Sequence, residues 1–276
     1  MLTSLVFSLA PAEPVSLPLF LGRASHAAFL QLTATLDPEL AARLHTPNER
    51  RPFTCSNLMG GKRAGRSLEL TPADALSLRF TGLNAEVSAL LTELAAQPPP
   101  ELEIDRAVFA VRGATVDPAG DPWAAQTSYE ALASRRLLAD GSTPHFAELE
   151  FVSPTAFRTG GHTLPVPLPR LVYGSLVDVW NQFAPVAVPE EMRRYAEECL
   201  AMSRYRLATH AVPGKGRPIQ IGCSGTCRYV ATNRDRYWLG MLQLLTDFAF
   251  FAGVGYQTAA GMGQVRRRKV RGERGS

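Results

Sequence analysis

Leu2 to Leu9 is a short, mostly apolar run that ends among Pro11, Pro14 and Pro18, and it predicts a first β-strand. Apolar residues then return at helical spacing from about Ala24 to Leu36. Asp37-Pro38 restarts a helix, since Asp is a good N-cap and Pro fits the first helical position, so a short second helix carries Glu39 to Leu44. Ser67–Leu70 and Ala75–Phe80 alternate like strands, Asn84 to Ala96 has helical spacing and stops before Pro98-Pro99-Pro100, and Leu102 to Val111 predicts one more strand. The order β-α-β-β-α-β is that of a ferredoxin-like half.

A Pro/Gly-rich stretch, Asp117 to Trp123, and a short helical segment near Tyr129 to Leu138 come next. The order then recurs with weaker boundaries. Phe146–Val152 alternates as a strand, Arg170–Phe183 and Glu190–Met202 have helical spacing, and Ile219–Ala231 holds β-branched residues suited to a strand. A helix from Arg236 to Phe251, a glycine-rich loop and a last strand from Met262 to Val270 complete it. The expected class is α+β, two tandem ferredoxin-like (RRM-like) domains, residues 1–122 and 123–276. The halves share no visible sequence repeat, so the duplication rests on element order alone.

Composition agrees with two folded domains. The chain has 276 residues, 46% hydrophobic and 20% charged, enough apolar material for real cores. Its net charge is only +4, but the charge is uneven. Arg43, Arg50, Arg51, Lys62, Arg63 and Arg66 stand against Glu49 alone, and Arg266, Arg267, Arg268, Lys269, Arg271 and Arg274 stand against Glu273 alone. The remainder is mildly acidic, so the two basic islands point to a localised polyanion site. Cys223-x3-Cys227 has no second Cys/His pair at matching spacing, which argues against a zinc site. The first residues lack the basic start of a signal peptide, and no apolar run is long enough to span a membrane. The expectation is a cytoplasmic protein with reduced thiols and no membrane partner.

Between the last helix and the basic tail lies Gly253-x-Gly255-x5-Gly261-x-Gly263. It is neither the dinucleotide fingerprint, because position 258 is Thr, nor a P-loop, because no Gly-Lys-Ser/Thr follows. Glycines near a helix end are expected to leave N–H donors open to phosphate oxygens. This loop resembles the glycine-rich loop of the RAMP superfamily of CRISPR-associated proteins, and most closely that of the endoribonucleases that cut CRISPR transcripts at each repeat. Three further segments resemble that family: Ser153-Pro154-Thr155-x-Phe157-Arg158, the prolines of Leu164–Pro169 leading into a helix with Trp180, and Leu44-His45 followed by Phe53-Thr54-Cys55-Ser56.

RNA can be cut without metal if a base takes the 2′-OH proton and an acid protonates the departing 5′ oxygen. Histidine suits both tasks near neutral pH. Of the five histidines, His26 at the start of the first helix and His45 at the end of the second approach one end of the domain if Asp37-Pro38 turns a helical hairpin. His145, His162 and His210 read as surface or capping residues. The family resemblance points to the same pair, with Arg23, Ser25, Arg50 and Arg51 as neighbours that hold the scissile phosphate. Some members add a tyrosine on the first helix, where this chain has Leu30. Glu148-x-Glu150, Glu190-Glu191 and Glu197-Glu198 read as solvated surface rather than a metal cluster, and no G-x-S-x-G is present.

The resemblance therefore implies a metal-independent endoribonuclease that binds CRISPR repeat RNA (pre-crRNA) between or across its domains and leaves a 2′,3′-cyclic phosphate. His45 and His26 are the catalytic candidates. Arg23, Arg50, Arg51, Gly253, Gly255, Gly261, Gly263, Arg266, Arg267 and Arg268 are the RNA-binding candidates, with no cofactor and no metal. The alternative is a non-catalytic RAMP subunit that holds guide RNA within a CRISPR effector complex. Besides RNA, the partners open to such a chain are other effector subunits or a second copy of itself.

Overall fold

The computed structural model describes residues 1–46, 50–138, 141–214 and 217–268. These residues form two compact units: Met1–Thr127 with Thr258–Gly261, and Ser128–Gln257 with the chain from Met262 on. Lys269, Arg271 and Arg274 of the expected basic tail lie outside the described residues.

In the first unit the elements are β1 (Leu2–Pro11), α1 (Gly22–Leu36), α2 (Pro38–Leu44), β2 (Phe53–Cys55), β3 (Leu76–Gly82), α3 (Ala85–Ala96), β4 (Glu101–Ile104) and β5 (Ala107–Thr115). They build an antiparallel sheet in the order β2-β3-β1-β5-β4. Leaving out β4, this is the ferredoxin arrangement, with the last strand beside the first and the second at the edge. Leu5 and Phe7 of β1, Phe29 of α1, Phe53 of β2 and Phe80 of β3 lie in one core. The Phe29 ring sits 4.4 Å from Phe53 and 5.1 Å from Phe80, contacts worth about 0.5–1.5 kcal/mol each beyond their burial. Asp37 separates α1 from α2 as expected: its carboxylate accepts from the Leu40 N–H at 2.8 Å.

Two expectations for this unit need correction. Ser67–Leu70 is not the second strand of the motif; it pairs with Val15–Pro18 and Lys62–Ala64 in a separate small sheet, and Phe53–Cys55 takes its place. Leu102–Val111 is not one strand either. Asp105 and Arg106 adopt φ of 52° and 69°, so the run folds into the β4–β5 hairpin.

Arg79 of β3 is 1% exposed. Its Nε donates to Ser4 Oγ at 2.7 Å and to the Trp123 carbonyl at 3.2 Å, and its guanidinium lies 5.1 Å over the Trp123 ring. Desolvation brings its pKa down to about 9, against the pull of Asp121. Arg79→Ala should cost about 3 kcal/mol, because two polar acceptors lose a charged donor and a cavity is left. Thermal melting of the intact chain checks this, and an unchanged melting curve would show the guanidinium to be dispensable.

The second unit contains α4 (Tyr129–Leu137), β6 (Phe146–Thr155), α5 (Pro169–Phe183), α6 (Glu191–Glu198), β7 (Leu200–Gly214), β8 (Arg217–Ala231), α7 (Arg236–Ala252) and β9 (Val265–Arg267). Its sheet runs β7-β8-β6-β9, again antiparallel and again the ferredoxin order. The protein is thus a tandem of ferredoxin-like folds. The expected helix Glu190–Met202 stops at Glu198, and the long strand β7 was not legible. As an edge strand β7 exposes most residues between Ala201 and Ala211, so it shows no period-two burial. The last strand is shorter than expected, Val265–Arg267. Cys223 and Cys227 are buried and free, and burial pushes both thiols up to about 11, so they serve as neutral core groups.

Candidate active site

The site grows from the start of α1 in the first unit. The Asn57 side chain pins the approach to that helix: its Oδ1 accepts from the Leu21 N–H at 2.5 Å and its Nδ2 donates to the Leu19 carbonyl at 3.0 Å. His26 lies in the second turn, half-buried, with its ring 5.4 Å from Phe53. Its Nδ1 is 2.8 Å from the carbonyl oxygen of Ala259. Burial is the main cause that holds its pKa below 6.5; the Ala259 contact opposes this, and the charges of Arg51 and His45 lower it further.

His45 is the C-cap of α2, and its backbone N–H donates to Ala41 O at 3.1 Å and Ala42 O at 3.2 Å. Its side chain is exposed. Arg51 donates to the carbonyls of Leu44 and Thr46, the latter at 2.9 Å, and so caps the turn that presents His45. Arg23 and Arg50 are exposed nearby in sequence. Ser25, expected to face phosphate, is fully buried and its hydroxyl donates back to Leu21 O at 3.2 Å.

All four loop glycines have positive φ, between 64° and 86°. Their N–H groups, however, are donated within the chain: Gly253 to Ala249 O, Gly255 to Ser175 Oγ, Gly261 to Cys55 O and Gly263 to Pro154 O. The expectation of open donors for phosphate is corrected accordingly. What requires glycine at Gly255 and Gly261 is close approach of other backbone, since a Cβ would lie 2.4 Å from Ala156 O and 2.5 Å from Gly22 Cα, respectively.

The expected arginine run is held by carboxylates in the second unit. Arg266 pairs with Glu150 at 2.8 Å and Arg268 with Glu148 at 3.1 Å, their side chains 39% and 56% exposed. Arg267 is 17% exposed and ties β9 to α7, reaching Asp247 at 2.6 Å and Gln243 Oε1 at 2.6 Å. Glu148 is 6% exposed between Arg228 and Arg268, not solvated as expected from strand alternation.

Cross-strand register exposes what the sequence reading missed. Arg204 stands opposite Arg228, which stands opposite Glu148; Arg206 stands opposite Thr226, then Glu150, then Arg266. Directly opposed residues share a face, so Arg204, Arg206, Arg228 and Arg266 crowd one side of this sheet against two glutamates. Arg204-x-Arg206 was the available signal, but it lay in the strand that periodicity did not show. A second missed feature is Arg158, whose guanidinium lies 4.1 Å over the ring of Tyr256 in the glycine loop. Among the described residues no three His, Cys, Asp or Glu side chains gather as metal ligands, and no helix is long and apolar enough to cross a membrane.

Two ferredoxin-like units in tandem define the class of fold, an α+β protein built from a repeated β-α-β-β-α-β order. Sequence comparison is more specific: the profile for the CRISPR Cas6 N-terminal domain matches residues 1–134, and that for the CRISPR-associated endoribonuclease Cas6 matches residues 149–265. The chain belongs to the Cas6 family of CRISPR-associated endoribonucleases. Among solved structures, a Cas6 product complex is 28% identical over 97% of this chain and 99% of its own, with a TM-score of 0.76. A product complex of Thermus thermophilus Cas6 is likewise 28% identical over 97% and 99%, at 0.79, and a Cas6 substrate mimic complex is 26% identical over 97% and 99%, at 0.71. No curated protein sequence matches the chain.

Proposed function

We propose that this endoribonuclease cuts CRISPR repeat RNA (pre-crRNA) with His26 and His45 as a metal-independent acid/base pair. The base takes the 2′-OH proton, the 2′ oxygen attacks phosphorus, the bond to the 5′ oxygen breaks, and the acid supplies the proton that this oxygen needs. The products carry a 2′,3′-cyclic phosphate and a 5′-hydroxyl. The observation that carries the reading is the environment of His26. Burial and the neighbouring charges of Arg51 and His45 keep it neutral at pH 7, which suits a base. His45, exposed at the C-terminal end of α2, is the acid. The choice of repeat RNA is supported by family membership and by relatives solved with substrate mimic and product.

Arg23, Arg50 and Arg51 hold the scissile phosphate in this reading, and the arginine-bearing sheet face of the second unit, Arg266 and Arg268 included, tracks the RNA backbone. The loop glycines shape the chain for that path rather than donate to it. The test is incubation of the purified protein with the repeat RNA of its own locus in excess EDTA. Cleavage to cyclic-phosphate ends is expected. Cleavage that stops in EDTA and returns with Mg²⁺ would overturn the mechanism, and tight binding with no cleavage under either condition would favour a guide-holding scaffold.

A further inference from the structure

We propose that the glycine-rich loop is a positioning device for His26: the Ala259 carbonyl locks the imidazole in the tautomer protonated at Nδ1, and the contact of Gly22 with Gly261 fixes that carbonyl in place. The inference rests on the reading of His26 as the base. A carbonyl oxygen only accepts, so the Nδ1 atom 2.8 Å away must carry the hydrogen, and the neutral ring keeps its lone pair on Nε2. In water the neutral histidine ring prefers its proton on Nε2. The Ala259 contact inverts that preference and turns the accepting nitrogen away from the loop.

The placement of Ala259 follows from two glycines distant in sequence. Gly22 and His26 stand four residues apart on α1 and therefore share a face. On that face Gly22 meets Ala260 and His26 meets Ala259, successive residues of one short 3₁₀ turn, Thr258–Ala260. The approach is too close for side chains: a Cβ on Gly22 would lie 2.1 Å from Ala260 O, and one on Gly261 would lie 2.5 Å from Gly22 Cα. Gln257 and Gly261 bracket the turn with φ of 60° and 86°, and the Gly261 N–H is anchored on Cys55 O at 3.1 Å, beside the bridge from Ser56 to Gly261. The turn is thus held both by α1 and by the end of β2, and its Ala259 carbonyl faces His26.

The test is long-range ¹H–¹⁵N correlation on histidine-labelled protein at neutral pH, with the His26 signals identified by their loss in His26→Ala. The expected spectrum shows His26 protonated at Nδ1 and bare at Nε2. In Gly22→Ala the added methyl displaces the turn, so His26 should move toward the Nε2-protonated form, and the single-turnover cleavage rate at saturating protein should fall about tenfold or more. A parent spectrum with His26 protonated at Nε2 would overturn the inference without any variant having to fold. So would a folded Gly22→Ala protein that keeps the parent tautomer. The two readings separate cleanly: full cleavage by His26→Ala would remove His26 as the base, whatever tautomer the parent spectrum shows.

Discussion

His26→Ala and His45→Ala should each slow single-turnover cleavage of repeat RNA by about 10²–10⁴-fold, the range lost when a general acid or base is removed. Neither should change RNA affinity much, since in this reading both side chains serve proton transfer, while Arg23, Arg50 and Arg51 hold the scissile phosphate. The double variant should be little slower than the worse single, because two groups acting in one proton-transfer step do not contribute independently. The pH dependence follows from the environment of His26. Its pKa is depressed by burial, so the base stays unprotonated until the pH falls below 6.5, and the acid limb of the rate profile should lie under that value. The same shift affects stability: as pH falls through 6.5 the unfolded chain takes up this proton before the folded one does, so the first unit loses stability on acidification. Full single-turnover activity in both alanine variants would remove the site and leave the guide-holding alternative.

Changing Arg204, Arg206, Arg266 and Arg268 together to alanine should weaken single-stranded RNA binding by about 10²–10³-fold near 0.1 M salt and flatten the log K against log salt slope by up to about 3 units. Arg267 is deliberately kept, because its pairing with Asp247 and Gln243 holds β9 on α7, and its loss would confuse unfolding with weakened binding. The cleavage rate at saturating protein should be preserved, since these residues serve backbone binding rather than proton transfer in this reading. A slope and affinity like those of the parent would show that Glu148 and Glu150 already neutralise this face and that RNA runs elsewhere.

Local signals were legible wherever the cause was local. Asp37-Pro38 announced the break between α1 and α2 because an N-cap and its proline act within one turn, and the Asp37 carboxylate does bind the Leu40 N–H. The helices α3, α5 and α7 showed their apolar faces for the same reason. The hairpin at Asp105-Arg106 escaped because two non-glycine residues took up positive φ, a conformation that sequence rarely marks. Strand β7 escaped because an edge strand with both faces largely wet has no alternation to read.

By itself, then, the chain's sequence determined the helices of each half, the first strand of each, the helical break at Asp37-Pro38, and the presence of glycines where positive φ was needed. Only the tertiary structure decided which short strand completes the first sheet, that Glu148 is buried among arginines, that Arg267 is a tie rather than a free charge, and that the loop glycines serve backbone against backbone. The physical reason is the range of the interactions. Periodicity, capping and φ preference act over a few residues. Strand pairing, ion pairing and the approach of Gly261 to Gly22 join positions far apart in the chain, and no local pattern encodes the distance at which they meet.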